Sequence, residues 1–143
     1  MATLLAGDTL VDENDPLRVL LIDQAEKAHR TRDALEVDGA FFRIEECHSL
    51  GEGIETCRSH SSEVVILATD LPDAWPSDVL LRLTEQTDSP IIAIVQGTFD
   101  KFSLVRAERT PFCIINRAKA NPKTIRRLVA SAGILARTLR TLL

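Results

Sequence analysis

Four apolar runs of the sequence, residues 17–22, 64–68, 91–95 and 113–116, end at polar or small residues that could line one common site. The candidate positions at or just beyond these ends are Asp23, Gln24, Ala68, Asp70, Val95 and Asn116. Two of them carry carboxylates, which are the oxygen ligands that hard divalent cations prefer. The alanine and the valine carry no reactive group, so the set is chemically incomplete.

The elements that must position these residues are short strands alternating with helices. FFRIEECHS (41–49) adds a strand near a sheet edge, and helical patterns cover 24–38, 50–60, a segment after Pro76, a weak stretch at 99–108, and 122–143. This (βα)5 pattern with continuous apolar strands is typical of a parallel sheet covered on both faces. It predicts an α/β, flavodoxin-like, doubly wound sheet of strand order 2-1-3-4-5, in which the strand ends meet at one edge.

Length and composition indicate one soluble domain. The chain has 143 residues, 45% of them hydrophobic and 27% charged. We expect a flexible lead-in over residues 1–16 and a domain over 17–143, because the first segment is acidic and ends in Pro16. Three cysteines without metal-type spacing favour a reduced protein of the cytoplasm. No apolar run reaches the roughly 20 residues of a membrane span.

Enzyme signatures are missing from the sequence. The first strand is not followed by a glycine-rich phosphate loop, and the Gly-x-Ser-x-Gly elbow does not occur. His29, His48 and His60 lie away from the predicted strand-end crevice, so we interpret them as surface residues. The sequence therefore predicts a protein that is not an enzyme and has no catalytic residues, metal ligands or cofactor.

The strand ends VLLIDQ, VVILATDLPD, PIIAIV and CIIN, in this order, resemble the receiver domain of bacterial two-component response regulators. The resemblance covers about residues 17–135, and VVILATDLPD is its most specific part. It implies that an acidic pair after strand one and an aspartate ending strand three bind Mg²⁺. It also implies that this aspartate accepts a phosphoryl group from a histidine kinase. A Ser/Thr ending strand four and a Lys ending strand five would contact that group.

This sequence departs from the family at most of its functional positions. Asp23 matches the first acid, whereas the second acid, the phosphoacceptor, the Ser/Thr and the Lys are replaced by Gln24, Ala68, Val95 and Asn116. Arg117 stands where the family usually has proline. An alanine methyl cannot attack phosphorus, and a lone carboxylate is a weak Mg²⁺ site. The resemblance therefore predicts a pseudo-receiver that signals through protein–protein contact without phosphorylation.

Two aspartates keep alternative interpretations. Asp70 could serve as a substitute acceptor or cation ligand, but an aspartate before Leu-Pro more often bonds its own turn. Asp23 could be retained for a hydrogen bond with a neighbouring backbone amide or with Arg117.

The helix predicted over 122–143 carries apolar residues at alternating spacings of three and four, namely Ile125, Leu128, Ala132, Leu135, Leu139 and Leu142. This is a heptad pattern. We expect Ile125 to Ala132 to pack on the sheet, and Leu135, Leu139 and Leu142 to form a homodimer surface. Gly133 could mark the change of packing. The same helix could link the domain to a fused output domain or approach a signalling partner.

The charge distribution leaves two further alternatives open. Residues 109–143 contain eight of the 17 basic residues and none of the 21 acidic ones. A basic segment can bind nucleic acid, but one without interleaved aromatic residues is more often a solvated helix face. The vacated phosphorylation pocket could instead bind a small ligand that switches the domain.

Overall fold

The computed structural model describes residues 14–37, 41–96 and 111–142. Within these residues, five strands form one parallel sheet: β1 (Leu17–Ile22), β2 (Phe42–Cys47), β3 (Val64–Ala68), β4 (Ile91–Val95) and β5 (Cys113–Asn116). The sheet order is β2-β1-β3-β4-β5, which confirms the predicted flavodoxin-like, doubly wound arrangement. The strand containing FFRIEECHS lies at a sheet edge, as its alternating pattern predicts.

The helices follow the predicted segments closely. They are α1 (Ala25–Glu36), α2 (Leu50–Ser59), α3 (Pro76–Thr84) and the last helix (Pro122–Leu142), with a 3-10 turn at Arg117–Lys119. The helix predicted over 99–108, most of the lead-in and residue 143 lie outside the described residues. Among the described helices, none combines the length and apolarity needed to cross a bilayer.

Local signals set the helix starts. The hydroxyl of Ser49 accepts a hydrogen bond from the Glu52 amide and caps α2, and Pro76 takes the first position of α3. Asn121 caps the last helix, because its Oδ1 accepts from the Thr124 amide at 2.9 Å. The Asn-Pro signal at this helix start is therefore confirmed.

The core has one layer on each face of the sheet. On one face α1 and the last helix cover residues such as Leu21 and Ile66, and on the other face α2 and α3 cover residues such as Leu20 and Leu67. Alternate strand residues point to opposite faces, so a strand buried on both sides must be apolar throughout. This explains why the central strands are continuous apolar runs.

The last helix changes its environment at Gly133. Ile125, Val129 and Ala132 are buried against the sheet, as predicted. A Cβ at Gly133 would lie 2.4 Å from a methyl group of Leu17, so the glycine allows the helix backbone to approach β1. Beyond this point the predicted self-association residues Leu135, Leu139 and Leu142 are 42%, 48% and 75% exposed.

Arg137 departs from the expectation of a solvated basic helix face. Its side chain is buried and pairs with buried Glu63 through two bonds, Nε to Oε2 at 2.5 Å and Nη2 to Oε1 at 2.9 Å. It also donates to the carbonyl oxygens of Asp15 and Pro16, which end the predicted lead-in. The guanidinium thus ties residues 15–16 to the last helix at the amino end of the sheet.

Candidate functional site

The carboxyl ends of β1, β3, β4 and β5 bring the predicted site positions to one edge of the sheet. Ala68 is the last residue of β3 and is fully buried, and its register partner is Ile94 of β4. Val95 is also buried and lies opposite Asn116 of β5. The edge therefore carries apolar side chains at two of the positions where the receiver resemblance implies a phosphoacceptor and a hydroxyl.

Asp23 is the charged group at the centre of this edge, and its side chain is fully buried. Arg117 binds it with two parallel hydrogen bonds, Nη1 to Oδ2 at 2.9 Å and Nη2 to Oδ1 at 3.0 Å. The backbone amide of Gln24 also donates to Oδ1 at 2.8 Å. Asp23 thus makes both of the contacts considered from the sequence, one with a neighbouring backbone amide and one with Arg117. The bidentate pair is the strong form of an arginine–carboxylate contact.

Asp70 belongs to the same ionic cluster. Its Oδ2 accepts from Lys27 Nζ at 2.8 Å, and its Oδ1 accepts from Arg117 Nη2 at 3.2 Å. The side-chain amide of Gln24 donates a hydrogen bond to the backbone carbonyl of Asp70 at 2.6 Å. Burial raises the pKa of Asp70, but the Lys27 hydrogen bond and the Arg117 charge outweigh it, so the pKa lies below the ordinary value. The side-chain contacts of Asp70 are thus with Lys27 and Arg117.

Two cationic residues of this cluster, Lys27 and Arg117, make contacts with Asp70 that the sequence analysis does not predict. Lys27 was not identified, although it lies one helical turn after Asp23 and its ammonium also contacts Gln96 Oε1 at 3.2 Å. Arg117 was considered only as a partner of Asp23, yet its guanidinium also contacts Asp70. The partner of Lys27, Asp70, is 43 residues away, so no local spacing in the sequence indicates this contact.

Asn116 shapes the turn that directs Arg117 into the site. Its Oδ1 accepts from the Ala118 amide at 3.0 Å, which caps the 3-10 turn after β5. The turn sends the Arg117 side chain back across the strand ends towards Asp23. At the position where the sequence resemblance implies a lysine, Asn116 thus supports the backbone.

The loop after β3 is anchored by Asp73. Its two carboxylate oxygens accept from the Leu50 and Gly51 amides of α2 at 2.8 and 2.9 Å. Burial raises the pKa of Asp73, but these hydrogen bonds outweigh it and lower the pKa overall. A carboxylate is stabilised at a helix amino end by the free amides and the helix dipole. The LPD part of VVILATDLPD therefore joins β3 to α2.

The strand-end edge holds an ionic cluster whose acidic and basic side chains are paired with one another. The carboxylates of Asp23 and Asp70 face the guanidinium of Arg117 and the ammonium of Lys27, so two negative and two positive charges balance. A divalent cation at these carboxylates would have to displace Arg117. The cluster thus supplies from side chains the positive charge that a metal ion would bring.

No protein-family model matches the sequence, and no curated protein matches it. Solved structures do match. A receiver domain from Methanospirillum hungatei JF-1 is 16% identical, covers 87% of this chain and 99% of its own, and superposes with a TM-score of 0.75. The chain has the receiver-domain fold. The receiver domain of a modulated diguanylate cyclase from Desulfovibrio desulfuricans G20 is 19% identical, covers 87% of this chain and 99% of its own, and has a TM-score of 0.71.

A further receiver domain, from a Vibrio parahaemolyticus protein described as a LuxO repressor, is 18% identical with a TM-score of 0.70, and the match covers 89% of this chain and 97% of that one. In this receiver fold, the strand-end edge is where the sequence resemblance implies phosphoryl chemistry. Here that edge holds Ala68, Val95 and the ionic cluster.

Proposed function

We propose that this chain is a pseudo-receiver, a receiver-fold domain that takes part in signal transduction through protein–protein contact and without phosphoryl transfer. It is not an enzyme, needs no cofactor, and acts in the cytoplasm as the regulatory part of a signalling protein or on a separate partner. Similar folds support this placement, because one match is the N-terminal domain of a response regulator/sensory box/GGDEF 3-domain protein from Carboxydothermus hydrogenoformans.

One observation carries the proposal: Arg117 binds both Asp23 and Asp70 at the edge where β3 ends in Ala68. The position of the acceptor has no nucleophile, and the remaining carboxylates are already paired with cations. The lack of a nucleophile at residue 68 and the pairing of the nearby acids with cations are independent observations, and both disfavour phosphoryl transfer. The sequence has three cysteines, Cys47, Cys57 and Cys113. They are not activated as nucleophiles, because burial raises the pKa of each thiol.

Treatment with acetyl phosphate and Mg²⁺ tests the absence of phosphoryl transfer. We expect the intact mass to stay unchanged, because Ala68 has no attacking atom and Asp70 is held by Lys27 and Arg117. Mass spectrometry of the treated protein measures this directly.

The Asp70→Asn variant is the matched control for that measurement. An added mass of one phosphoryl group that persists in the wild-type protein and disappears in the variant would identify Asp70 as a substitute acceptor and contradict the proposal.

The last helix supplies the surface for self-association in this proposal. Leu135 and Leu139 are half-exposed and line a groove of roughly 640 Å³ whose other wall includes Pro90 and Phe112. Leu142 continues the same heptad stripe and is 75% exposed. A parallel stripe from a second copy would cover these leucines, since heptad spacing keeps them on one seam.

Introducing charge into the apolar stripe tests the homodimer. We expect the Leu139→Arg/Leu142→Arg variant to sediment as a monomer, since two arginines per chain would have to be buried in the interface. Trp75→Arg is the matched control, because Trp75 is an exposed apolar residue (77%) at the start of α3. A monomeric wild-type protein, or a double variant that keeps the dimer, would contradict the interface.

Three of the eight basic residues in segment 109–143 are engaged within the fold, which weakens the case for a nucleic-acid binder. Arg137 is 4% exposed, Arg117 is paired in the strand-end cluster, and Arg126 donates to the Ala34 carbonyl at 3.2 Å. These side chains are not available to phosphate groups of DNA or RNA. The small-ligand alternative is weakened in the same way, because Lys27 and Arg117 extend between the carboxylates that would line the pocket.

A further inference from the structure

Two histidines and a glutamate meet at the flank of the sheet and share no residue with the strand-end cluster. His29 lies on α1, and Glu46 and His48 lie at the end of the edge strand β2 and just beyond it. Residues 46 and 48 are two apart, so a strand places their side chains on the same face. The three potential ligand atoms, Nδ1 of His29, Oε1 of Glu46 and Nε2 of His48, all lie within 4.8 Å of one another.

The geometry points to a binding site for a divalent transition-metal ion of the zinc class at His29, Glu46 and His48. Both histidine nitrogens lie 2.7 Å from the same oxygen, Glu46 Oε1. Tetrahedral zinc with bonds near 2.0–2.1 Å holds its ligand atoms about 3.4 Å apart. Each nitrogen therefore needs to move from Oε1 by under about 1 Å, which rotation of a surface histidine provides.

The contacts around Glu46 prepare it as a single-oxygen ligand. Arg32 Nη1 donates to the other oxygen, Oε2, at 3.0 Å, while Arg32 Nε binds Glu36. Oε1 is thus left to face the histidines. Carboxylate ligands of metal sites are commonly fixed by such an outer hydrogen bond. Glu36 also offsets the positive charge that Arg32 would otherwise direct at a bound cation.

Exposure leaves room for a further ligand. The side chain of Glu46 is only 6% exposed, whereas those of His29 and His48 are 64% and 39% exposed. Two imidazoles and a carboxylate suit zinc, nickel or copper better than magnesium or calcium. With three protein ligands, the fourth position of a tetrahedral ion faces solvent and accepts water or a group of another molecule. The ion would cross-link α1 to the edge strand.

Zinc titration of the metal-free protein tests this site. We expect calorimetry to detect one bound Zn²⁺, and histidine ring signals in NMR spectra to shift for residues 29 and 48. His29→Ala should lower the affinity at least about tenfold, since it removes a ligand. His60→Ala is the matched control and should leave the affinity unchanged, because His60 is an exposed histidine at the end of α2, outside the three-residue set.

A second variant, His48→Ala, removes a different ligand and should also lower the zinc affinity, so the result does not depend on a local distortion caused by His29→Ala. Thermal unfolding without metal checks that each variant is folded. The inference is overturned if the wild-type protein binds no Zn²⁺. It is also overturned if folded His29→Ala and His48→Ala variants both bind as tightly as wild type, since the ion would then lie elsewhere, for example at the cysteines.

Discussion

Replacing Arg117 with methionine is expected to lower the free energy of unfolding by about 3 kcal/mol. The change leaves the fully buried carboxylate of Asp23 without its two charge-assisted hydrogen bonds, and the Gln24 amide alone cannot compensate it. The loss lies at the lower end for a broken buried pair, because Arg117 Nε is itself buried without a hydrogen-bond partner. Urea denaturation followed by circular dichroism measures the difference.

Two further variants make the Arg117 result specific. Lys119→Met removes an exposed basic residue from the same turn and should change stability by less than about 0.5 kcal/mol. Asp23→Asn, added to Arg117→Met, should recover most of the loss, since a neutral amide can still accept from Gln24. If Arg117→Met is as stable as wild type, the guanidinium does not hold these acids in solution, and the main support for a closed pocket is lost.

The Arg137→Met variant is expected to lose about 3–5 kcal/mol of stability. Glu63 and Arg137 are 4% and 5% exposed at their side chains, so removing the cation leaves an almost fully buried carboxylate. The Arg18 amide and the exposed Arg140 still contact Glu63, which keeps the loss from being larger. The free energy of unfolding from urea denaturation at neutral pH measures it.

Arg140→Met is the control for this pair, because Arg140 contacts the same Glu63 oxygen at 3.2 Å but is 63% exposed. Its loss should stay below about 1 kcal/mol. Glu63→Gln combined with Arg137→Met should recover much of the stability, since the buried charge is gone. Equal losses in the two arginine variants would show that burial does not determine the strength of these pairs.

The pH dependence of stability gives a second readout for Arg137. Burial raises the pKa of Glu63, but the Arg137 hydrogen bonds outweigh it and hold the pKa below its ordinary value of 4.5. The wild-type protein therefore keeps this contribution above pH 4.5 and loses it as the pH falls through the lower folded-state value. In Arg137→Met, burial favours the protonated acid, and the Arg18 amide and the exposed Arg140 oppose it more weakly than Arg137 does. The stability difference between the two proteins should thus narrow below pH 4.5.

The strand pattern and the residue types at the strand ends could be predicted from the sequence, because both depend on local features. Strands buried on both faces must be continuous apolar runs, and the parallel order then places their carboxyl ends at one edge. The residue types at that edge, such as Ala68 and Val95, are read directly from the chain. The heptad spacing of the last helix is also read from the chain, whereas the close approach of Gly133 to Leu17 is seen only in the structure.

The ionic contacts could not be predicted, because they join side chains from distant parts of the chain. Asp23 and Arg117 are 94 residues apart, and Glu63 and Arg137 are 74 apart. An arginine in a basic segment looks the same in sequence whether its long side chain reaches solvent or turns inwards. Its direction depends on the turn that Asn116 caps and on which carboxylate the packed sheet brings within reach.

The sequence by itself thus determined that the domain has a receiver-like sheet and that its third strand ends in an alanine. Only the tertiary structure decided that Arg117 and Lys27 neutralise the remaining acids, and that His29 meets Glu46 and His48 on the sheet flank. The physical reason is the range of the interactions. Hydrophobic periodicity is written in consecutive residues, whereas charged and metal-ligating side chains acquire partners only when the folded backbone brings separate elements together.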